Sequence, residues 1–198
     1  MGAAAGSGRT VRVREPVPGD SAGIGRVHVR AWQQAYAGIM AASFLDGLDE
    51  RAWGRAWRRR LAQRAVGRGE PGVELLVAEH PDGGTVAGIA TLGPERGGDG
   101  NRGELWMINV DPAAWGLGVG SALLAEVEAR LAARGFTDGV LWVVAGNSRA
   151  RRFYRTRGWA ADDTCRREDI GGRPVNECRY TKPLVGNRRR SDAPHRHG

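Results

Sequence analysis

Residues 115 to 121 constrain this chain more than any other segment. They read Trp115-Gly116-Leu117-Gly118-Val119-Gly120-Ser121 and separate a nearly unbroken apolar run, Glu104 to Val110, from an amphipathic stretch. An apolar run of that length suits a central strand buried on both faces. In the stretch that follows, Leu123, Leu124, Val127 and Leu131 recur at helical spacing, and Gly135 supplies the stop. Glycine at every second position of the loop lets the backbone pass close to a ligand. The helix start then offers unpaired N–H groups and the positive end of its dipole, a combination that holds phosphate or pyrophosphate. No Gly-Lys-Ser/Thr follows, so this is not a Walker loop. It also departs from the dinucleotide fingerprint, because Ser121 stands where Gly or Ala is required.

The rest of the chain reads as one mixed α/β domain. Val11 to Arg14 alternates like a short strand and is ended by Pro16 and Pro18. Asp20 is typed to cap a helix from Ser21 to Tyr36, with Ile24, Val27, Ala31 and Ala35 at helical spacing. A short helix follows around Met40 to Leu45. Asp49 caps a third, in which Trp53, Trp57 and Leu61 form a core stripe. Val73 to Glu79 and Thr85 to Leu92 flank Asp82-Gly83-Gly84 and should pair as a hairpin. After the helix that begins near Gly118 come a buried strand, Val140 to Val144, a helix, Asn147 to Arg157, and a hairpin over Gly171-Gly172. The expected domain spans residues 11–185, between a disordered tail at 1–10 and a basic disordered tail at 186–198.

Composition excludes several classes. No stretch approaches the roughly 20 apolar residues of a membrane span, so a cytoplasmic protein is expected. Cys165 and Cys178 are expected to be buried or half-buried free thiols. Two Cys without a His cluster make no zinc site, so no metal is expected. The net charge of +8 sits largely on the tails and on five Arg within 147–157, and Lys182 is the only lysine. That distribution is not an interleaved basic and aromatic surface, so no specific nucleic-acid partner is expected.

A second motif lies at Asn147-Ser148-Arg149-Ala150-Arg151-Arg152-Phe153-Tyr154-Arg155-Thr156-Arg157-Gly158-Trp159. On a helix Asn147, Ala150, Arg151 and Tyr154 share one stripe, Asn147 suits the N-cap and Gly158 the stop. On periodicity alone Tyr154 is an amphipathic core residue and the arginines a solvated face. Taken together, the glycine loop and Asn-x-x-Ala-x-x-Phe-Tyr-x-x-x-Gly-Trp about thirty residues later closely resemble the acetyl-CoA-binding half of the GNAT superfamily of N-acetyltransferases. The resemblance is strong over residues 104–159. It extends through the final hairpin, and Trp32-Gln33-Gln34-Ala35-Tyr36 is similar to a first-helix segment of a bacterial branch. One departure is plain: the family's loop commonly begins with Arg or Gln, and Trp115 stands there.

The resemblance implies a mostly antiparallel sheet of six to seven strands with a splayed parallel central pair and flanking helices. It implies that a β-bulge at Ile108, Asn109 and Val110 holds the pantetheine arm and the acetyl carbonyl. Gly116, Leu117, Gly118, Val119, Gly120 and Ser121 cradle the pyrophosphate, Asn147 and Ala150 line the pantetheine channel, and Arg151 or Arg152 reaches the nucleotide end. Tyr154 matches the general acid and Glu104 a candidate base. On period two, Glu104, Trp106 and Ile108 share a face. Trp32 and Tyr36 are candidate walls of the acceptor pocket. The expected activity moves acetyl from acetyl-CoA to a primary amine of a small molecule or protein, in a monomer or homodimer. A non-catalytic acyl-CoA-binding module is the alternative, which Tyr154 argues against. The histidines, His28 among them, are poor catalytic candidates.

Overall fold

The computed structural model describes residues 10–184; the two expected tails lie outside these residues, apart from Thr10. A seven-stranded sheet runs in the order β1-β2-β3-β4-β5-β7-β6. Its strands are β1 (Val13–Arg14), β2 (Glu74–Glu79), β3 (Val86–Pro94), β4 (Arg102–Val110), β5 (Asp138–Val144), β6 (Ala160–Ile170) and β7 (Arg173–Pro183). Every neighbouring pair is antiparallel except β4 and β5. That parallel ladder joins only Arg102–Leu105 to Asp138–Leu141, although both strands continue. Beyond Leu105 and Leu141 the central strands therefore part, and the sheet opens into a gap.

Helix α4 (Val119–Ala133) covers one face with Leu123, Leu124, Val127 and Leu131, each at most 1% exposed. Burying each leucine contributes roughly 2 kcal/mol relative to exposure. Gly88 and Gly103 allow this approach: a Cβ on Gly103 would sit 2.5 Å from Leu131 and 2.9 Å from Phe136. The opposite face carries α1 (Ser21–Ala35) and α3 (Glu50–Ala65), where Ile24, Val27, Trp57 and Leu61 pack on Leu75, Val77 and Ile89. Asp49 caps α3 as expected, accepting from the Ala52 N–H at 2.6 Å. The short α2 (Ala42–Asp46) and α5 (Ser148–Arg155) complete the fold.

Three expectations need correction. Asp20 does not cap α1 with its side chain, because Arg14 holds both of its carboxylate oxygens, at 2.7 and 3.0 Å, and the Val17 N–H adds a third bond. The bulge expected at residues 108–110 lies at Trp106, where the pairing steps from Thr91↔Met107 to Leu92↔Leu105. The extra residue shifts the alternation. Leu105 and Ile108 consequently face the α4 core while Met107 faces the α1–α3 core, so Glu104 and Ile108 do not share a face. Cys165 and Cys178 are free thiols directly opposite on β6 and β7 with their sulfurs 3.3 Å apart, and Cys165 is exposed rather than buried.

His28 of α1 is buried, stacked on Trp53 at 3.8 Å and on Trp32 at 5.2 Å. Burial lowers its pKa from the ordinary 6.5 to about 4. A depressed histidine pKa means that the unfolded chain takes up the proton first as pH falls. The stabilisation is complete above about 6.5 and is lost on acidification toward 4, a difference of about 3 kcal/mol. Urea unfolding between pH 7 and 4 should show that loss, and His28→Phe should flatten this part of the profile. Parallel pH profiles for the two proteins would contradict it.

Candidate active site

The glycine loop forms because it contains residues that tolerate a left-handed backbone: Gly116 and Gly118 sit at φ +82° and +83°. Gly118 serves as the N-cap of α4, whose first bond runs from the Ala122 N–H to the Gly118 carbonyl at 2.9 Å. The N–H groups of residues 119–121 consequently have no intrahelical acceptor. Leu117 differs from its expected role. Its N–H bonds the Ala114 carbonyl at 3.3 Å and its side chain is 46% exposed. Trp115 ties the loop to the sheet, its indole N–H donating to the Val110 carbonyl at 3.0 Å.

Two arginines read from sequence as solvated surface gather here. The Arg149 guanidinium lies 3.7 Å from the centroid of Trp115, and Arg157 stacks on Phe153 at 3.9 Å while donating to the Ser121 hydroxyl at 2.5 Å. Both line the same cavity as Gly116, Gly118, Val119, Gly120 and Ser121. Two cations and a helix N-terminus around one space make an anion site. Arg151, by contrast, does not line it. Its guanidinium turns to the Tyr180 hydroxyl at 3.2 Å and the Ala145 carbonyl at 3.1 Å, because residue 151 faces β7.

From the loop the cavity, about 450 Å³, passes into the gap between β4 and β5. Ile108, Asn109 and Val110 form one side and Val143, Val144, Asn147 and Ala150 the other. The Asp111 N–H bonds the Ala87 carbonyl at 2.8 Å, and antiparallel alternation then turns the N–H groups of Ile108 and Val110 away from β3 and into the gap. Asn147 caps α5 by accepting from the Ala150 N–H at 3.0 Å. The cap sets the helix start, and Tyr154 falls two turns later in the cavity wall, 6% exposed. Burial raises its phenol pKa well above the ordinary value, and the nearby Tyr36 adds to the rise. Tyr154 is therefore neutral, holding its proton, across the whole range in which proteins are stable.

On the far side the cavity is lined by Trp32 of α1 and Tyr36 just past its end, and by Trp142, Ile170 and Glu177, which sequence reasoning missed. Burial and the Glu177 carboxylate together push the Tyr36 phenol up to about 12. Glu104 is elsewhere. It is 1% exposed and held by Arg96, which donates its backbone N–H at 2.8 Å and its guanidinium, with Nε at 3.0 Å. It does not line the cavity, so a base role has no geometry behind it. Among the described residues no cluster of His, Cys, Asp and Glu is placed to hold a metal, and no helix is long and apolar enough to cross a membrane.

The model of the acetyltransferase (GNAT) family matches residues 28–159, which contain the glycine loop, the gap and Tyr154. The chain belongs to the GNAT acetyltransferase family. It is an N-acetyltransferase by that membership, and its sheet with one parallel pair and flanking helices is the GNAT fold. Over 138 residues it is 30% identical to the uncharacterized N-acetyltransferase YuaI of Bacillus subtilis, covering 69% of this chain and 73% of that protein. The mycothiol acetyltransferase of Cellulomonas flavigena is 32% identical over 143 residues, which is 62% of this chain and 41% of that enzyme. This GNAT chain thus spans less than half the length of that relative. In structure it is similar to the PaiA N-acetyltransferase of Thermoplasma acidophilum, solved with coenzyme A, at a TM-score of 0.66 and 20% identity, covering 88% of this chain and 99% of that one. It is also similar to YncA of Salmonella typhimurium, solved with acetyl-CoA, at 0.62 and 23%, covering 93% and 98%.

Proposed function

We propose that this GNAT chain transfers acetyl from acetyl-CoA to a primary amine of a small molecule or protein by direct attack in a ternary complex, with Tyr154 as general acid. The observation that carries the reading is the placement of the neutral Tyr154 phenol in the wall of a cavity that starts at the anion loop and runs through the β4–β5 gap. Gly118 to Ser121, Arg149 and Arg157 hold the pyrophosphate by amide and guanidinium donors. Arg149 on Trp115 supplies cationic charge at the start of the loop, where the family commonly has Arg or Gln. Asn147 and Ala150 line the pantetheine channel. The inward N–H groups of Ile108 and Val110 are available to the pantetheine amides and the acetyl carbonyl, whose oxygen gains charge on attack.

The proton inventory balances. An alkyl ammonium, pKa about 10.4, first gives one proton to solvent. The free amine attacks the carbonyl carbon, the C–N bond forms and the C–S bond breaks. Tyr154 gives its proton to the departing thiolate, whose conjugate acid has a pKa of about 8.5, and the amine nitrogen's surplus proton returns to the phenolate through water. Because Glu104 is enclosed by Arg96, a water relay is the proposed path for the ammonium proton.

The loop is tested by Gly118→Val. A β-branched residue at φ +83° is a backbone outlier, so the turn must change and the N–H groups swing off the phosphates. Calorimetry should show acetyl-CoA affinity reduced by about tenfold or more, which corresponds to about 1.4 kcal/mol. Undiminished affinity would remove the loop from the site. If wild type binds acetyl-CoA and acetylates no amine, a non-catalytic acyl-CoA-binding module is the better reading.

A further inference from the structure

Among the described residues the Glu177 carboxylate is the one acid in the lining of the cavity, and it lies on the side away from the anion loop. Tyr180 of β7 is in the α4 core, and Cys178 packs against the same core. Period two then turns Glu177 and Arg179 to the opposite face, toward α1. Arg166 holds Glu177 from the neighbouring strand, with Nε at 2.8 Å and Nη2 at 2.7 Å, both at the same carboxylate oxygen. Among the described residues the other oxygen, Oε1, accepts no hydrogen bond. Arg166 is itself positioned by stacking on Trp142, 4.1 Å from the ring centroid.

The surroundings of this half-used carboxylate are flat and apolar. Trp32 and Tyr36 meet edge to face with centroids 5.3 Å apart, and Trp142 and Ile170 line the same cavity. Phe44 of α2 packs over Gly171 of the β6–β7 turn, next to Ile170 of the lining, where an added Cβ would lie 2.6 Å from the ring. A carboxylate with one free oxygen, 12% exposed and sharing a cavity lining with Trp32, Tyr36 and Trp142, suits a cation carried on an apolar body.

We propose that Glu177 is the recognition residue of the acceptor chamber and that the acceptor is a monocationic primary amine on a flat apolar or aromatic body. The inference rests on the N-acetyltransferase reading above. Glu177 Oε1 accepts an N–H of the incoming ammonium, Trp32, Tyr36 and Trp142 cover its apolar body, and the amine, after losing a proton to water, lies on the Tyr154 side of the gap. Arg166 fixes the carboxylate rotamer and touches no substrate.

The experiment uses the full chain with acetyl-CoA and three probe amines, 2-phenylethylamine, tyramine and tryptamine, with glycine as a zwitterionic control. Steady-state acetylation is measured for wild type, Glu177→Gln and Arg166→Gln, and acetyl-CoA binding to each is measured by calorimetry. In wild type the aryl-alkyl amines should be acetylated in preference to glycine. Glu177→Gln should raise the amine KM at least tenfold with acetyl-CoA affinity kept. Arg166→Gln should raise the amine KM clearly less than Glu177→Gln does, because the carboxylate remains although its rotamer is no longer held. A merely structural β6–β7 pair would make the two variants behave alike, which would overturn the proposal. So would an unchanged amine KM in Glu177→Gln, or a wild type that binds acetyl-CoA but prefers glycine or accepts none of the probes. Loss of acetyl-CoA binding in wild type would instead strike the N-acetyltransferase reading, and this inference with it.

Discussion

Tyr154→Phe should lower kcat by about 10²- to 10³-fold on any amine the wild type acetylates, with acetyl-CoA affinity essentially unchanged. The substitution removes one oxygen and its proton from a ring that otherwise packs the same way. The ring lies among Phe153, Trp159 and Tyr180 with centroids 5.3 to 6.4 Å away, and Phe keeps those contacts. The thiolate must then leave unprotonated or take its proton from water. Because burial holds the phenol neutral, no basic limb from Tyr154 should appear in the wild-type profile below the alkaline range. The profile should instead rise with pH as the amine loses its proton. Steady-state and stopped-flow rates of CoA release check both statements. A Phe variant as fast as wild type on an active amine would remove Tyr154 from the chemistry.

Gly25→Ala should cost roughly 3 kcal/mol and lower Tm by about 8 °C. Helices α1 and α3 cross backbone to backbone at this residue. A Cβ on Gly25 would stand 2.7 Å from the Gly54 Cα and 2.8 Å from the Glu50 carbonyl oxygen. Backbone atoms cannot rotate aside, so the helices must separate and open the core around Ile24, Val27 and Trp57. Gly54→Ala is the internal control. Its added Cβ meets the Ala22 Cα at 3.4 Å, an ordinary contact, and alanine favours the helix. Thermal unfolding of both variants distinguishes a true backbone crossing from a general intolerance of side chains: equal and small effects would contradict it. Because α1 carries Trp32 and ends at the Tyr36 cap, Gly25→Ala should disturb amine binding before acetyl-CoA binding.

Local signals made much of this molecule legible. The glycine loop, the Asn147 cap, the Asp49 cap and the 3.6-residue stripes of α1, α3 and α4 are decided within a few residues, and the structure places them where the chain indicates. What the chain hid depends on partners distant in sequence. The bulge at Trp106 arises from how β4 registers against β3, and it alone moves Ile108 to the face opposite Glu104. Glu104 looked available because its neighbour in space, Arg96, sits eight residues away in a glycine-rich loop with no pattern of its own. Asp20 has the right type and place for a cap, yet Arg14 of β1 takes its oxygens. Arg149 and Arg157 became cavity residues only once Trp115 and Phe153 provided rings to stack on. Glu177 could have been found: in the alternating Val175 to Thr181 stretch it stands opposite the face of Cys178 and Tyr180, although only the fold reveals that this face meets α1.

The most direct test follows the acetyl group itself. Wild-type protein is mixed with acetyl-CoA, with and without an aryl-alkyl amine, and free CoA, acetylated amine and intact protein mass are quantified over time. Transfer through the cavity requires CoA release that depends on the amine, one acetylated amine per CoA released, and a protein mass that does not change. Release of CoA without acetylated amine, or an acetyl group that accumulates on the protein before it reaches the amine, would contradict direct attack in the β4–β5 gap.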